Sequence, residues 1–508
     1  MATTRNALPA LAQSTAAAVP ALSVPWQADP VPAARIVWLN EELAADLGMD
    51  PDLLRGPEGL ALLTGRIGAD GRPLAPGEAP PEPPFTTAQA YAGHQFGQPN
   101  PQLGDGRAVL LGDLEDGHGR RVDLHLKGSG RTPFARGGDG KAPLGPMLRE
   151  AIIGEFLHAA GVPTTRALAV LATGERIAPR RGEEPEPGAL LVRVAASHLR
   201  VGTVQHAAWH HGEGTVRAVV DLAIARHHPR AAEAENPPLA LLEAVTRAQA
   251  ELLAQWMLLG FVHGVMNTDN MALSGQSIDH GPCAFLDAHV PGAVFSSIDR
   301  QGRYAYGNQP GIALWNLSRL AEALLPAIDP EDPERGVGAA TAVLEGFEPA
   351  YLAARARGLA RKLGVPGAED PVRLAAAGEL GEELLDLLAE HGADHTLAFR
   401  AVAESRPGAV LPAAPPAAIE GWWARLLALR GEGPEARTAL AEAGRANPRR
   451  IPRNRLLEDA LAAAQGGEEA AALHVLGGVA EPFDESPEYA DMEIPADDAD
   501  PVVTFCGT

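Results

Sequence analysis

Apolar and polar residues alternate most clearly in RRVDLHLKGSG. On an extended chain Val122, Leu124 and Leu126 fall on one face, and Asp123, His125 and Lys127 on the other. Residues 85–127 interleave short apolar runs with turn-rich pieces such as PQLGDGRAVLLGD, which predicts antiparallel strands joined by tight turns. Another strand is expected over GALLVRVAA, 188–196. Helical spacing appears at 145–160 and dominates from about residue 215. In PPLALLEAVTRAQAELLAQWMLLG, Leu242, Val245, Leu252, Trp256 and Leu259 recur at helical intervals; Pro237 and Pro238 precede the helix and Gly260 ends it. GIALWNLSRLAEALL, AYLAARARGLARKL, EELLDLLAEHG and GWWARLLAL continue the helical series. The Pro-rich LPAAPPAAIEG (411–421) reads as a linker. EPFDESPEYADMEIPADDAD, which lacks Lys and Arg, reads as an extended or mobile tail.

The expected organisation is therefore an N-terminal arm and extension (1–84), a β-rich part with one helix (85–214), a larger helical part (215–410) and a helical extension with an acidic tail (411–508). Clefts between two such parts favour ligands. Composition narrows the field further. The 508 residues are 46% hydrophobic and carry a formal charge of −23, which argues against a general nucleic-acid binder or an anionic-membrane binder. A small anionic ligand stays compatible, because its site needs only a few local cations. No apolar run of spanning length is present, and the N-terminal segment lacks the apolar region of a secretory signal. Two cysteines cannot build a disulfide framework, so a reducing cytoplasm is the expected setting. A monomer is the expected state.

The long helix leads directly into HGVMNTDNMALSGQSIDHG, 263–281. An Asn and an Asp separated by a short hairpin-like stretch can converge on a hard cation through oxygen, and Asn270 and Asp279 suit Mg²⁺. The loop resembles the metal loop of kinase-like enzymes. His263, Gly264, Asn270 and Asp279 keep its spacing, and Asp279-His280-Gly281 looks like the kinase Asp-Phe-Gly element. Val265, however, stands where the kinase base belongs. The plainer alternative is that Asn267, Asp269 and Asn270 only make Asx turns.

Lys127 ends a strand, as a phosphate-pairing lysine would, and Glu150 lies on a helix stripe with Met147, Gly154 and Leu157. A carboxylate buried there needs a cation, and Lys127 is the natural partner; a solvated Glu is the alternative. Arg193 sits inside an apolar run and Arg200 follows, so the two could clamp a phosphate or merely bridge structural carboxylates. The glycine turns Gly104-Asp105-Gly106-Arg107 and Gly137-Gly138-Asp139-Gly140 let backbone N–H groups approach phosphates, though neither matches a Walker or kinase glycine loop. His206 and His210 have helical spacing without the glutamate of a zinc protease, and read as ordinary polar residues. The arginines of NPRRIPRNR read as structural, with the acidic tail as one partner.

YAGHQFG, NPQLGDGRAVLLGD, LHLKGSGRTPFARGGDGKA, the Arg-Glu of MLREAIIGEFL, GVPTTRALAV, ASHLRVGT and GVMNTDNMALSGQSIDHGP span 91–287. In order and spacing these stretches closely resemble the selenoprotein O family. The resemblance implies an α+β, protein-kinase-like two-lobe fold: a β-rich nucleotide-binding lobe with one helix of the kinase C-helix kind, then a mainly helical lobe with the metal and catalytic loop. It implies transfer of AMP from ATP to Ser, Thr or Tyr hydroxyls of proteins, with ATP flipped relative to a kinase. On this chain Gly104, Gly106, Arg107, Lys127, Asp139, Gly140, Arg193, Arg200 and Asp279 then meet ATP, and Glu150 pairs with Lys127. Asn270 and Asp279 hold Mg²⁺ or Mn²⁺, and Asp269 is the proton acceptor.

Two features depart from the family pattern, and a third keeps it. Residues 142–147 read APLGPM in place of a more polar stretch, which bears on where the Glu150 helix starts. His280 replaces a tyrosine, and Cys506 occupies the family's selenocysteine or cysteine position. Cys283 and Cys506 could form a regulatory disulfide; the alternative is an inert buried thiol and a free tail thiol. Besides protein AMPylation, with UTP as a further donor, two other classes remain: an ordinary phosphotransferase, and a catalytically silent nucleotide-binding scaffold. The resemblance points to redox-related protein substrates.

Overall fold

The computed structural model describes residues 7–178, 184–496 and 502–504. Its strands are β1 (Ser23–Pro25), β2 (Arg35–Leu39), β3 (Thr87–Gln89), β4 (Gly93–Gln95), β5 (Gln98–Asn100), β6 (Ala108–Glu115), β7 (Arg121–Lys127), β8 (Ala142–Pro143), β9 (Arg166–Ile177), β10 (Glu186–Ala195), β11 (Phe261–Val262) and β12 (Ala284–Phe285). One antiparallel sheet runs β1-β3-β6-β7-β10-β9-β2, with β8 added to β10. In the centre of the sheet Arg193 stands opposite His125, and Leu191 opposite Lys127. The expected strands over 85–127 and 188–196 are thus present, and the alternation in β7 divides as read: Leu124 and Leu126 join an apolar core on one side.

That core revises the reading of the N-terminal residues. Leu8, Leu11, Leu43, Leu54 and Leu62 are buried with Leu124, Leu126, Leu190 and Val192, so they cover one face of the sheet, and the expected partly ordered arm is packed from Leu8 onward. β1 and β2 also supply its two edges. Two short helices, Glu41–Asp46 and Pro57–Leu63, carry much of this apolar cover. Against the opposite side packs the helix Leu144–Ala159, whose residues Met147, Ile152, Ile153 and Phe156 enter a second and larger core. This helix starts at Leu144 despite the departure at 142–147, and Glu150 lies inside it, buried.

The helix Pro237–Leu259 forms as predicted. Asn236 caps it by accepting from Leu239 N, and Gly260 ends it at φ 68°, a left-handed value that suits glycine. β11 and β12 then pair, Phe261 with Phe285 and Val262 with Ala284, and pin the base of the loop between them. Helices fill most of the rest of the chain. The Pro-rich 411–421 stretch is a packed turn rather than a linker: Val410 and Leu411 are buried with Phe399, Leu384 and Trp422, so one core crosses it. The described part of the acidic segment is likewise tied down, since Pro487–Met492 forms a 3-10 turn with Met492 buried. Arg450 does meet this region, as read, but through carbonyls: it donates to Gly478 O (3.1 Å), Glu481 O (2.6 Å) and Asp484 O (2.8 Å). Arg453 takes carboxylates instead, Asp287 at 2.5 Å and Asp394 at 2.6 Å.

Candidate active site

A cleft of about 580 Å³ opens between the sheet and the 263–283 loop. Strand register and the helix behind the sheet bring its charges together. Lys127 at the end of β7 bonds Glu150 on the helix Leu144–Ala159, and its Nζ lies 3.1 Å from Asp279 Oδ1. Arg193 of β10 donates to the same Oδ1 at 2.6 Å, and Arg200 donates to Oδ2 at 3.3 Å. Burial alone would raise the Asp279 carboxyl, but Lys127, Arg193 and Arg200 outweigh it and hold the group well below the usual carboxylate range. Lys127, Arg193 and Arg200 are themselves almost fully buried. The Lys127–Glu150 pair and the arginine clamp read from the sequence are therefore one cluster.

The loop that carries Asp279 is held by its histidine. His263 Nε2 donates to Ile278 O at 2.9 Å, which fixes the residue before Asp279. Asp279 adopts φ 63°, a left-handed value that is rare for a non-glycine residue and concentrates at functional sites. Val265 lines the cleft as an aliphatic side chain, and its carbonyl accepts from Asn270 Nδ2 at 2.9 Å. Asp269 occupies a single 3-10 turn, Thr268–Asn270. Its Oδ1 is buried with no hydrogen-bond partner. Burial, with help from the Asp279 charge, pushes its carboxyl up to about 6. The hairpin β4–β5 walls this side: His94 N donates to Thr268 Oγ1 (2.7 Å) and Phe96 N to Asn267 Oδ1 (3.1 Å). A side chain at Gly93 would put a carbon 2.5 Å from Asp269 Oδ1, so only glycine admits the carboxylate there.

Gly104, Gly106, Arg107, Asp139 and Gly140 all line the same cleft. Gly140, at φ 74°, packs so tightly that a Cβ would fall 2.0 Å from Gly130 O. Cys283 is fully buried and donates to His280 O at 2.9 Å; burial pushes its thiol up to about 12. Cys506 lies outside the described residues. Several residues in or behind the cleft escaped the sequence reading. Tyr91 lies under the Arg200 guanidinium, 4.5 Å from ring centre to carbon, and Tyr304 donates to Asn267 Oδ1 at 2.6 Å. Behind Arg193 sit His125 and His198; His125 shares the polar face of β7 with Lys127, a signal that was visible but carried no chemistry on its own.

Asn270 and Asp279 offer an amide and a carboxylate oxygen on one cleft wall. Because the Asn270 amide nitrogen is committed to Val265 O, its Oδ1 is left as an acceptor. Among the described residues no group of three His, Cys, Asp or Glu side chains gathers for a softer metal. Two protein oxygens with phosphate and water completing the shell is the pattern Mg²⁺ takes, so the residues fit that ion.

Comparison with known proteins gives the chain's family. Residues 13–412 match the family described as Protein adenylyltransferase SelO. A protein nucleotidyltransferase YdiU of Cereibacter sphaeroides is 51% identical over 491 residues, 96% of each chain. That of Pseudarthrobacter chlorophenolicus is 50% identical over 496 residues, also 96% of each. The Mycolicibacterium smegmatis protein of the same name is 49% identical over 513 residues, the whole of both chains. With the match covering most of its length, the chain belongs to the protein adenylyltransferase SelO family.

Proposed function

We propose that the protein transfers AMP from ATP to Ser, Thr or Tyr hydroxyls of protein substrates, with UTP as a second possible donor. The observation that carries this reading is the pairing, in one cleft, of three cations converging on Asp279 with an unpartnered, proton-hungry Asp269 oxygen. The acceptor hydroxyl passes its proton to Asp269, and its oxygen forms a bond to the α-phosphorus. The bond from that phosphorus to the bridging oxygen breaks, and pyrophosphate leaves with the bond pair. Lys127, Arg193 and Arg200 exchange Asp279 for phosphate oxygens and stabilise the charge that grows on the leaving group. Glu150 keeps Lys127 aimed into the cleft. Asn270 and Asp279 hold Mg²⁺, or Mn²⁺, which when bound neutralises phosphate oxygens. Gly104, Gly106, Arg107, Asp139 and Gly140 supply the rest of the ATP contacts. Val265 cannot accept a proton, so the loop lacks the base of a phosphotransferase in its usual place.

In this reading residues 85–214 are the nucleotide-binding lobe of a protein-kinase-like pair, 215–410 the lobe with the metal loop, and 411–508 an extension. Cys283 and Cys506 form a regulatory redox pair in this reading. Thr504, two residues before Cys506, donates to Pro282 O at 2.6 Å, next to Cys283, which favours that pairing. Two free thiols after mild oxidation would remove it.

The test uses purified protein, Mg²⁺ and ATP labelled with ³²P at the α or the γ position, with Asp279→Ala as control. Self-labelling from α alone, lost in the variant, is the expected result. Label from γ alone would make the protein a kinase, and label from neither would leave a nucleotide-binding scaffold.

A further inference from the structure

We infer that His125 and His198 are positioning residues that hold Arg193 as neutral hydrogen-bond acceptors, leaving its full positive charge for a nucleotide phosphate. This deepens the proposed function and rests on the cleft taking ATP. Arg193 is buried, and each edge of its guanidinium has one partner. Nε donates to His198 Nε2 at 3.3 Å, Nη2 donates to His125 Nδ1 at 3.4 Å, and Nη1 points to Asp279 Oδ1 at 2.6 Å.

A guanidinium can only donate, so both ring nitrogens that face it must carry lone pairs. That fixes the tautomers, and the opposite nitrogens have matching acceptors. His125 Nε2–H donates to Asp105 Oδ2 at 3.0 Å, and His198 Nδ1–H donates to Asp123 Oδ2 at 3.2 Å. The carboxylates are anchored in turn. Asp105 accepts from Gln89 N at 3.0 Å, and Asp123 accepts from Arg226 Nη2 at 2.8 Å and from His198 N at 3.0 Å. The two imidazoles stack with centroids 4.2 Å apart. Burial, reinforced by Arg193 and Arg200, holds both below the ordinary imidazole range, consistent with neutral rings. Asp105 lies between Gly104 and Gly106, so the same relay ties the glycine turn to the arginine.

The chemistry of the acceptors is what gives the arrangement its purpose. Buried arginines are ordinarily held by carboxylates, as Arg453 is by Asp287 and Asp394. A carboxylate in place of either ring would orient Arg193 equally well but would neutralise it. Setting the negative charge one ring further away keeps the orientation and leaves the cation able to attract a phosphate. Among the described residues, its close anions in the cleft are Asp279 and, at 3.8 Å, Glu150.

Calorimetric binding of ATP and of adenosine, each with Mg²⁺, tests this in the full chain. In His198→Leu the ATP affinity should fall about tenfold or more, while adenosine stays within about twofold, since no phosphate contact is at stake. His198→Gln, whose amide can accept from Arg193 and donate to Asp123, should recover most of the loss. If the Leu variant does not fold, His198→Asn replaces it, because its shorter amide cannot reach both partners and the same loss is expected. ATP affinity unchanged in a folded variant, ATP and adenosine affinities falling together, or Gln no better than Leu would each overturn the inference. If the unaltered protein does not prefer ATP to adenosine, the nucleotide reading of the cleft fails instead.

Discussion

The chain has three lysines, and two of them, Lys127 and Lys362, are buried in very different surroundings. Lys127 meets Glu150 and Asp279 at the wall of a cleft. Lys362 ends the helix Phe347–Lys362 with its ammonium 4.4 Å from the centre of the Phe399 ring, and no carboxylate pairs with it among the described residues. Burial, aided by the neighbouring Arg361 charge, lowers Lys362 to about 7. The two solve one problem in opposite ways. In the helical core burial weakens the cation's hold on its proton, whereas in the cleft carboxylates pair with it, beside a space where an anion can take over the ion pairs. Arg450 is held by three carbonyls with Glu493 at 3.8 Å, away from the cleft, whereas Arg193 faces it. Buried charge alone does not mark a site; buried charge that faces an opening does.

Substitutions can break or sharpen that contrast. The largest effect is expected for Asp279→Ala, which should abolish α-label transfer by about 10³-fold or more. Lys127→Met should cost roughly 10²–10³-fold, while Lys362→Met leaves the transfer rate unchanged; equal losses in the two would erase the distinction. Asp269→Asn should lower the rate by about 10²–10⁴-fold. With Asp269 in place the rate should fall as pH drops through about 6, where its carboxyl takes up a proton, or somewhat lower once Mg²⁺ draws that value down. The Asn variant should lose this acid limb, and a pH–rate profile of both decides.

The smallest effect concerns stability. Because Lys362 binds its proton less tightly when folded, the unfolded chain holds more protons between pH 7 and 10.5, and stability rises with pH across that window. Lys362→Met should therefore stabilise the fold by about 1–3 kcal/mol at pH 7, with the lost cation–π contact as an offset. The gain should shrink towards pH 10, as read from the melting temperatures at both pH values.

Much of the site was legible because its signals are local. The alternation in β7 placed Lys127, the helical stripe placed Glu150, and the spacing in 263–281 placed Asn270 and Asp279. What stayed hidden depends on partners far along the chain. Leu8 and Leu11 look like part of an arm until the sheet face they cover exists. His125 and His198 mean little until strand register sets Arg193 opposite His125. Asp269 read equally well as an Asx turn, and only the unpartnered oxygen against Gly93 separates the two. The proline-rich stretch at 411–421 misled because proline content signals a break in helix, and says nothing about whether the flanking Leu411 is buried.

The edge strand β2 carries a cost during synthesis. Ile36 pairs with Leu171, so β2 leaves the ribosome long before β9 exists, and at ordinary elongation rates the wait is roughly ten to thirty seconds. For that time Ile36, Val37 and Leu39 form an apolar segment with open backbone donors and acceptors, the kind of surface that recruits other chains. Within the strand itself Arg35 is the one charged residue, with Glu41 and Glu42 following just beyond its end. Crowded expression, where many nascent chains share that interval, is thus where this fold is most exposed to aggregation.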